Sequence, residues 1–332
     1  MIEPRGLIGF ALTFLVASWA FSIALGAIVL LGARWLRSRG PSAERRAATY
    51  AVALPPAIGL AVVSLLAGYS AFGSWLGVVD HCPEHHHHLH LCLFHGAEWA
   101  SQGWAVAAVA LFGTFAAVRV VHHAATLWRA RLDLRRIAGI SRCVESPAGE
   151  VLLAPANRPF CFVAGLVRPR IFVSVAAWEC LDDEERLAML AHERAHADQG
   201  DPWRRSVLGL IAIFGAPLVA VRLLTLWGRA TERLCDHRAA ALLSRPEAVA
   251  RALVSLSGAR AVRPPRAAPC FVPGARDLID RVEAVLAGHG DGRLAARRIG
   301  RTAVLLAASV IAAAGALAQP IHHALETLLG RI

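Results

Sequence analysis

Four long stretches of this chain contain no charged side chain, and they constrain its fold more than any other feature. They cover residues 7–33, 47–79, 99–118 and 302–325. A hydrocarbon core about 30 Å thick is crossed by about 20 apolar residues of helix, so each stretch is long enough to span a membrane. The chain is 56% hydrophobic with a mean hydropathy of +0.49, whereas soluble domains are about 45–50% apolar. The sequence therefore predicts an α-helical multi-pass membrane protein with four spans.

The basic residues predict how these spans are oriented. The net charge is +11 and every basic residue other than histidine is arginine. Arginines crowd the loop 34–48, follow the third stretch and precede the fourth, while the loop 80–103 has none. Because arginine-rich loops stay in the cytoplasm, we expect the loop 80–103 and both termini to be external, in a bacterial-type inner membrane. Basic residues interleaved with aromatics are missing, so we expect the lipid bilayer, and not nucleic acid, to be the partner of this charge.

The chain divides into three parts on this pattern. Residues 1–136 are expected to form three spans, 137–300 a cytoplasmic α+β domain, and 301–332 the fourth span with a short external tail. Within the domain we expect strands at 151–154 and 170–175 and helices at 182–196, 231–243 and 277–287, with a loop at 261–273. The apolar segment 206–227, which contains Gly215 and Pro217, is expected to form a helical hairpin that lies against the membrane or dips into it.

A metal-binding pattern lies on the first of these helices. His192 and His196 are four residues apart, which places both imidazoles on one helix face, in the arrangement that binds zinc. Glu193 follows the first histidine, where it can act as the general base on a water molecule. The alternative is a pair of polar residues on an exposed helix face. The position of the motif, on an acid-capped amphipathic helix after two strands, favours the metal site.

A third ligand is expected from the second helix. Glu232 and Asp236 are four residues apart on one face, which suits a ligand carboxylate and a second carboxylate that orients a ligand histidine. The alternative is a solvated face with Arg233 and Arg238 as partners.

The segments His192-Glu-Arg-Ala-His196 and Glu232-Arg-Leu-Cys-Asp236 together resemble the H-E-x-x-H and E-x-x-C-D signature of the BlaR/MecR family of membrane peptidases. The stretch 162–174 is similar to the segment before the zinc helix of that family, and 214–218 resembles its F-N-P-L turn apart from Gly215-Ala216. The resemblance implies a gluzincin zinc-peptidase domain inserted between spans three and four. It also implies Zn²⁺ as cofactor, His192, His196 and Glu232 as ligands, Glu193 as base and Asp236 behind a ligand.

Members of this family are triggered from outside and cut a cytoplasmic transcriptional repressor or themselves, so we expect a protein substrate and a role in signal transduction. The beta-lactam receptors carry a penicillin-binding sensor after the fourth span. The sequence has no such segment before Ile332, so we do not expect beta-lactam sensing.

The loop 80–103 is a candidate external metal-binding site. Seven of the fifteen histidines lie in it, and imidazole and thiolate ligands suit zinc, copper or nickel. A low-complexity polar loop, or a disulfide between its two cysteines, remains open. The candidate ligands are His81, Cys82, His85, His86, His87, His88, His90, Cys92 and His95.

Two details of catalysis are expected from position alone. The strand 170–175 is expected to bind substrate as an edge strand, and His237 and Arg238 are candidate donors to the oxyanion. Two other functions stay open: an HtpX-like quality-control protease, and a metal-binding membrane sensor without hydrolytic activity. The sensor predicts charged residues within the spans, and the uncharged stretches argue against it.

Overall fold

The structure is a computed structural model that describes residues 4–72, 102–146, 149–258, 275–288 and 290–317. The helices are α1 (Pro4–Leu31), α2 (Ala33–Ser38), α3 (Pro41–Phe72), α4 (Gly103–Ile140), α5 (Val175–Cys180), α6 (Asp183–Gln199), α7 (Asp201–Ile211), α8 (Pro217–Leu243), α9 (Pro246–Gly258), α10 (Ala275–Leu286) and α11 (Arg293–Ala316). The strands are β1 (Arg142–Ser146), β2 (Gly149–Ala154), β3 (Cys161–Ala164) and β4 (Arg170–Ser174), and a short 3₁₀ turn covers Ala212–Phe214.

Four helices are long and apolar enough to cross a membrane, as the uncharged stretches predict. They are Leu7–Leu31, Pro41–Leu66, Gly103–Ile140 and Arg293–Ala316. The third continues well past residue 118, where its uncharged stretch ends, because the basic segment that follows is equally helical. A single helix, α4, therefore joins the third candidate span to the sheet.

The helices α3 and α11 run side by side in the same direction. The Ser42 N–H donates to the carbonyl of Asp291 (3.0 Å) at their beginnings, and Gly315 lies against Leu65 near their far ends. Between these points, Gly300 leaves room for Tyr50, whose hydroxyl would be 3.2 Å from a Cβ there. The arginine-rich starts of both helices consequently meet at one level.

The sheet has the order β1-β2-β4-β3, with β2 and β4 parallel and the other pairs antiparallel. The segment 170–175, which we expected at an edge, supplies the central strand β4, so that prediction was wrong. Both sides of β4 are hydrogen-bonded to neighbours, and it has no free edge to offer a peptide. The strand β3 occupies the edge instead.

The sheet is covered on both faces, and the zinc-motif helix packs on one of them. Val151, Val163, Ile171 and Val173 point toward Met189 and Leu190 of α6 in one buried cluster. Alternate residues of the same strands, including Phe162 and Phe172, face the last turns of α4, because side chains along a strand alternate between faces. The sheet thereby fixes α6 relative to the third candidate span.

Capping signals at both ends fix the limits of α6. The Asp182 side chain accepts from the Glu185 N–H (2.7 Å), and Glu185 accepts in return from the Asp182 N–H. This reciprocal pair satisfies two otherwise unpaired backbone donors and stabilises a helix by about 1 kcal/mol. At the other end, Gly200 adopts φ 64°, a left-handed conformation that glycine adopts at little cost. The chain then turns directly into α7.

The hairpin made of α7, the 3₁₀ turn and the first half of α8 packs against the candidate spans. Phe214 at its tip lies 5.9 Å from Phe14 and 6.2 Å from Phe112, measured between ring centroids. A Cβ at Gly26 would lie 2.2 Å from Val219, so only glycine lets α1 and α8 approach this closely. The second arm of the hairpin continues without a break into the segment 231–243, so α8 carries both the apolar arm and the expected third ligand.

Candidate metal centre

Two imidazoles of α6 point at one spot. The Nε2 atoms of His192 and His196 are 3.1 Å apart, and their rings meet edge to face with centroids 4.8 Å apart. Both side chains are largely buried, with 13% and 3% of their surface exposed. The arrangement follows from the spacing of four residues on a helix, which stacks side chains on one face.

The helix α8 brings Glu232 to the same spot. One carboxylate oxygen of Glu232 lies 3.6 Å from Nε2 of His192 and the other lies 3.6 Å from Nε2 of His196. The carboxylate and the two imidazoles therefore come from separate helices, on opposite sides of the hairpin turn. The structure brings together the three residues expected as ligands.

The spacing of these donor atoms fits zinc. Four ligands placed tetrahedrally at about 2.0–2.1 Å from a metal are about 3.3–3.4 Å from one another. The distance of 3.1 Å between the two nitrogens and the distances of 3.6 Å from each nitrogen to a different oxygen of Glu232 bracket that value, and one ligand atom from each residue lies within 4.8 Å of the others. Two imidazoles and one carboxylate leave a fourth position open, as in catalytic zinc sites.

A second carboxylate stands behind each histidine. Nδ1 of His192 lies 2.9 Å from Asp236 Oδ1, and Nδ1 of His196 lies 2.8 Å from Asp201 Oδ2. Such pairs orient the ring and keep Nε2 available for a metal. We expected Asp236 in this place, whereas Asp201 has no counterpart in the sequence analysis. The turn at Gly200 folds Asp201 back under His196.

Arg281 on α10 neutralises the carboxylates of α8. Its Nε and one terminal nitrogen donate to the two oxygens of Asp236, each at 2.7 Å, and Nη1 lies 3.3 Å from Glu232. Although burial raises the pKa of Glu232, contact with His192 and the charge of Arg281 outweigh it and lower that pKa to about 2. The carboxylate of Glu232 therefore stays ionised at neutral pH. Arg281 lies in the predicted helix 277–287, but no motif marked it.

His192 carries the opposite shift. Burial lowers its pKa, but the hydrogen bond and charge of Asp236, with help from Glu232, raise it to about 10. Without a metal, the cluster therefore holds a proton on His192. A metal cation supplies the positive charge that this proton provides, so the carboxylates around His192 favour a cation at the centre.

Glu193 is buried beside the histidines. Burial raises the pKa of its carboxyl above the ordinary value, while the charges of His192 and His196 and a hydrogen bond from the Val163 N–H oppose the rise. A carboxylate with an upward-shifted pKa is a better proton acceptor than an ordinary glutamate at neutral pH. The position, between the ligand helix and strand β3, fits the expected general base.

A second group of metal-binding residue types fits a metal less well. His196, Asp201 and Cys235 also lie within 4.8 Å of one another. Burial, followed by the charge of Asp201, raises the pKa of the Cys235 thiol well above its ordinary value, whereas metals bind the thiolate. The Gln199 amide donates to Cys235 Sγ (3.3 Å). These contacts describe a packed polar core around Asp201.

The beginning of α3 reaches this core. Arg45 donates to both Asp201 and Gln199, and Glu44 accepts from Arg233, the residue after Glu232. Arg45 and Glu44 are almost completely buried. From the sequence we expected these residues only in a basic connection, because nothing local shows that a span start packs on a site more than 150 residues away.

The other expected residues lie elsewhere. His237 and Arg238 line two cavities beside α2 and α3, and their role as donors to the oxyanion stays a prediction. The candidate external ligands, His81 to His95, lie outside the described residues.

Replacing Asp201 by Asn removes the carboxylate behind His196, and we expect zinc affinity to fall about 10–100-fold. Chelator competition on the full-length protein measures the affinity. Asp198→Asn, at an exposed residue paired with Arg194 on the same helix, is the matched control and is expected to bind zinc as the wild type does. Equal affinities for both variants would contradict the assignment.

Zinc binding should release a proton from His192, because ligand histidines bind as neutral imidazoles and the pKa of about 10 keeps this one protonated. At pH 8 we expect the wild type to release up to about one proton more than Asp236→Asn, in which the main cause of the raised pKa is gone. Calorimetry in buffers of different ionisation enthalpy counts the protons. The same count for both proteins would show that His192 is neutral before the metal binds.

Comparison with known protein families identifies the family of this chain. The family described as BlaR1 peptidase M56 matches residues 99–285, a segment that contains the strands, both ligand helices and Arg281. Searches of curated proteins and of solved structures found no match. The matched segment covers more than half of the 332 residues, which confirms the resemblance of the two motifs to this family. The chain belongs to the BlaR1 peptidase M56 family.

Proposed function

We propose that this protein is a membrane-embedded zinc endopeptidase of the gluzincin type. The observation that carries the proposal is the convergence of His192, His196 and Glu232 at distances that suit one tetrahedral metal, with Glu193 beside them. Family membership supports peptidase chemistry independently of this geometry.

The residues of the site have two roles, which are to bind the metal and to transfer protons. His192, His196 and Glu232 would hold Zn²⁺, which, when bound, polarises the scissile carbonyl and lowers the pKa of water. Glu193 accepts a proton from the attacking water and passes it to the leaving amine. The buried setting of Glu193 keeps its carboxylate close to the reacting atoms and away from competing solvent.

The surrounding charges position the ligands. Asp201 is hydrogen-bonded to Nδ1 of His196, the charge of Asp236 lies 2.9 Å from Nδ1 of His192, and Arg281 keeps Glu232 and Asp236 ionised and in place. A guanidinium that binds two oxygens at once fixes direction as well as charge. These three residues act through the ligands and do not touch the substrate.

Strand β3 is the expected partner of the substrate backbone. The Ser174 N–H donates to the Phe160 carbonyl, so these two residues form a hydrogen-bonded pair of the antiparallel β3–β4 ladder. Such pairs alternate along the ladder. The backbone N–H and C=O of Phe162 therefore point toward β4, and those of Val163 point away from it. The Val163 N–H accordingly reaches Glu193, which sets this edge beside the general base. Among the strands that the structure describes, none pairs with this edge. An extended peptide added here would lie along the metal centre.

Backbone methylation of a cleaved peptide tests this pairing. When each amide nitrogen is methylated in turn, we expect cleavage to fall about 5–10-fold at every second position, because one hydrogen bond is worth about 1 kcal/mol. The intervening positions, with identical side chains, are the controls. A loss without this period of two would contradict pairing with β3.

The orientation follows from the position of the basic helix starts. The arginine-rich beginnings of α3 and α11 lie together, and Arg45 at the start of α3 touches the polar core around Asp201. Since arginine-rich ends favour the cytoplasm, the metal centre is on the cytoplasmic side of an inner membrane, between the third and fourth spans. The substrate is then a cytoplasmic protein, such as a transcriptional repressor, or this chain itself, cut in response to an external signal.

Replacing Glu193 by Gln keeps the side-chain volume and removes the base. We expect cleavage, measured as self-cleavage or on an unfolded test protein such as casein, to fall about 10²–10⁴-fold with zinc content unchanged. Glu179→Gln, at an exposed residue of α5, is the control and should cleave normally. Glu232→Gln should lose both zinc and cleavage.

Mapping new protein ends in cells that express wild type or Glu193→Gln identifies the substrate. Ends found only with the wild type, on a cytoplasmic regulator or on this chain, support the proposal. Many unrelated ends would favour the quality-control protease, and wild-type cleavage by Glu193→Gln would overturn the catalytic assignment.

A further inference from the structure

A cavity of about 400 Å³ opens between the starts of α3 and α11 and is walled by α7 and α8; it is called the α3–α11 cavity below. Six arginines line it, and no aspartate or glutamate does. They are Arg45, Arg46, Arg204, Arg238, Arg293 and Arg297. Ser42, Thr49 and Tyr50 add hydroxyl groups to the same wall.

Most of this positive charge is not compensated. Arg45 pairs with Asp201, and Arg293 pairs with Asp291. No ion pair to a carboxylate of the described residues is recorded for the other four, of which Arg46, Arg204 and Arg297 are exposed and Arg238 is half-buried. The Nε atom of Arg238 is buried and has no hydrogen-bond partner there. A buried guanidinium N–H without an acceptor costs free energy unless a ligand or water satisfies it.

Several other arginines of the same chain have an acidic partner. Arg186, Arg194 and Arg245 are each paired with an acidic side chain on the surface of the zinc domain, as are Arg251 and Arg229. A single exposed arginine needs no partner, because water solvates it. Four uncompensated arginines that face one cavity repel one another, and an anion in the cavity removes that repulsion.

The position of the cavity indicates which class of anion it binds. Arg46 and Arg297 stand at the beginnings of two parallel candidate spans, Arg46 directly before the uncharged stretch 47–79 and Arg297 less than two helical turns before the stretch 302–325. That is the depth at which phospholipid headgroups lie, and basic pockets between membrane helices on the cytoplasmic side suit acidic headgroups. The planar guanidinium fork also matches the oxygens of a phosphate.

We propose that the α3–α11 cavity binds the phosphate headgroup of an anionic phospholipid, with Arg46, Arg204, Arg238 and Arg297 as its ligands. The acyl chains then lie along the apolar faces of α3 and α11. Arg45 links the bound headgroup to the metal centre, since Arg45 lines the cavity and donates to Asp201 behind His196.

Native mass spectrometry of the delipidated full-length protein, titrated with phosphatidylglycerol, tests this site. Removing two arginines in Arg46→Gln/Arg297→Gln should weaken binding roughly 30-fold, from the usual contribution of one arginine to anionic lipid. The control is Arg135→Gln/Arg136→Gln, which removes the same charge from exposed residues of α4 outside the cavity, and it should bind within about twofold of wild type. Phosphatidylcholine, whose headgroup is neutral overall, should bind all three proteins equally weakly.

Two outcomes overturn the proposal. Equal losses in both double variants would mean that the lipid responds to net charge and has no site in the cavity. Displacement of phosphatidylglycerol by millimolar inorganic phosphate, with the same dependence on Arg46 and Arg297, would assign the cavity to a soluble phosphate compound. Gel filtration and the thermal unfolding midpoint check folding. If the double variant fails that check, Arg204→Gln, at an exposed residue of α7, should weaken binding roughly fivefold.

Discussion

The structure depends on balancing buried charge around two imidazoles. Glu232, Asp236 and Asp201 are all largely removed from water within the packed interior, where an unpaired carboxylate is expensive. Arg281 compensates the two carboxylates of α8, and Arg45 compensates Asp201. Removing one partner of a buried ion pair typically costs about 3–5 kcal/mol. The carboxylates beside the histidines are therefore stable in the interior only when Arg281 and Arg45 are present to neutralise them.

This balance joins parts of the chain that are far apart in sequence. The proposed ligands come from α6 and α8, one compensating arginine from α10 and the other from α3. Because α3 is also a candidate membrane span, the candidate metal centre packs directly against the membrane helices and is not a structurally separate unit. Glu44 adds a second link, to Arg233 beside the ligand Glu232. A displacement of α3 along its axis must either break these contacts or carry the neighbours of His196 and Glu232 with it.

The parts of the fold that the sequence predicts are those with local signals. Uncharged stretches mark the candidate spans, the acidic run 182–185 marks the start of α6, and a spacing of four residues marks the ligands and Asp236. Long-range partners leave no such signal. Arg281 is one arginine on an amphipathic helix, and its role appears only when α10 packs on α8. The central place of β4 was missed because strand order depends on how β2 and β3 flank it, and a strand of five residues does not encode its neighbours.

X-ray absorption at the zinc edge of the metal-loaded, full-length protein tests whether His192, His196 and Glu232 bind the metal. If they do, the first shell contains only nitrogen and oxygen at about 2.0–2.1 Å, with the multiple-scattering features of two imidazoles. A sulfur neighbour at about 2.3 Å would place the metal at Cys235 and contradict the assignment of Glu232. A protein that retains no zinc would contradict it as well.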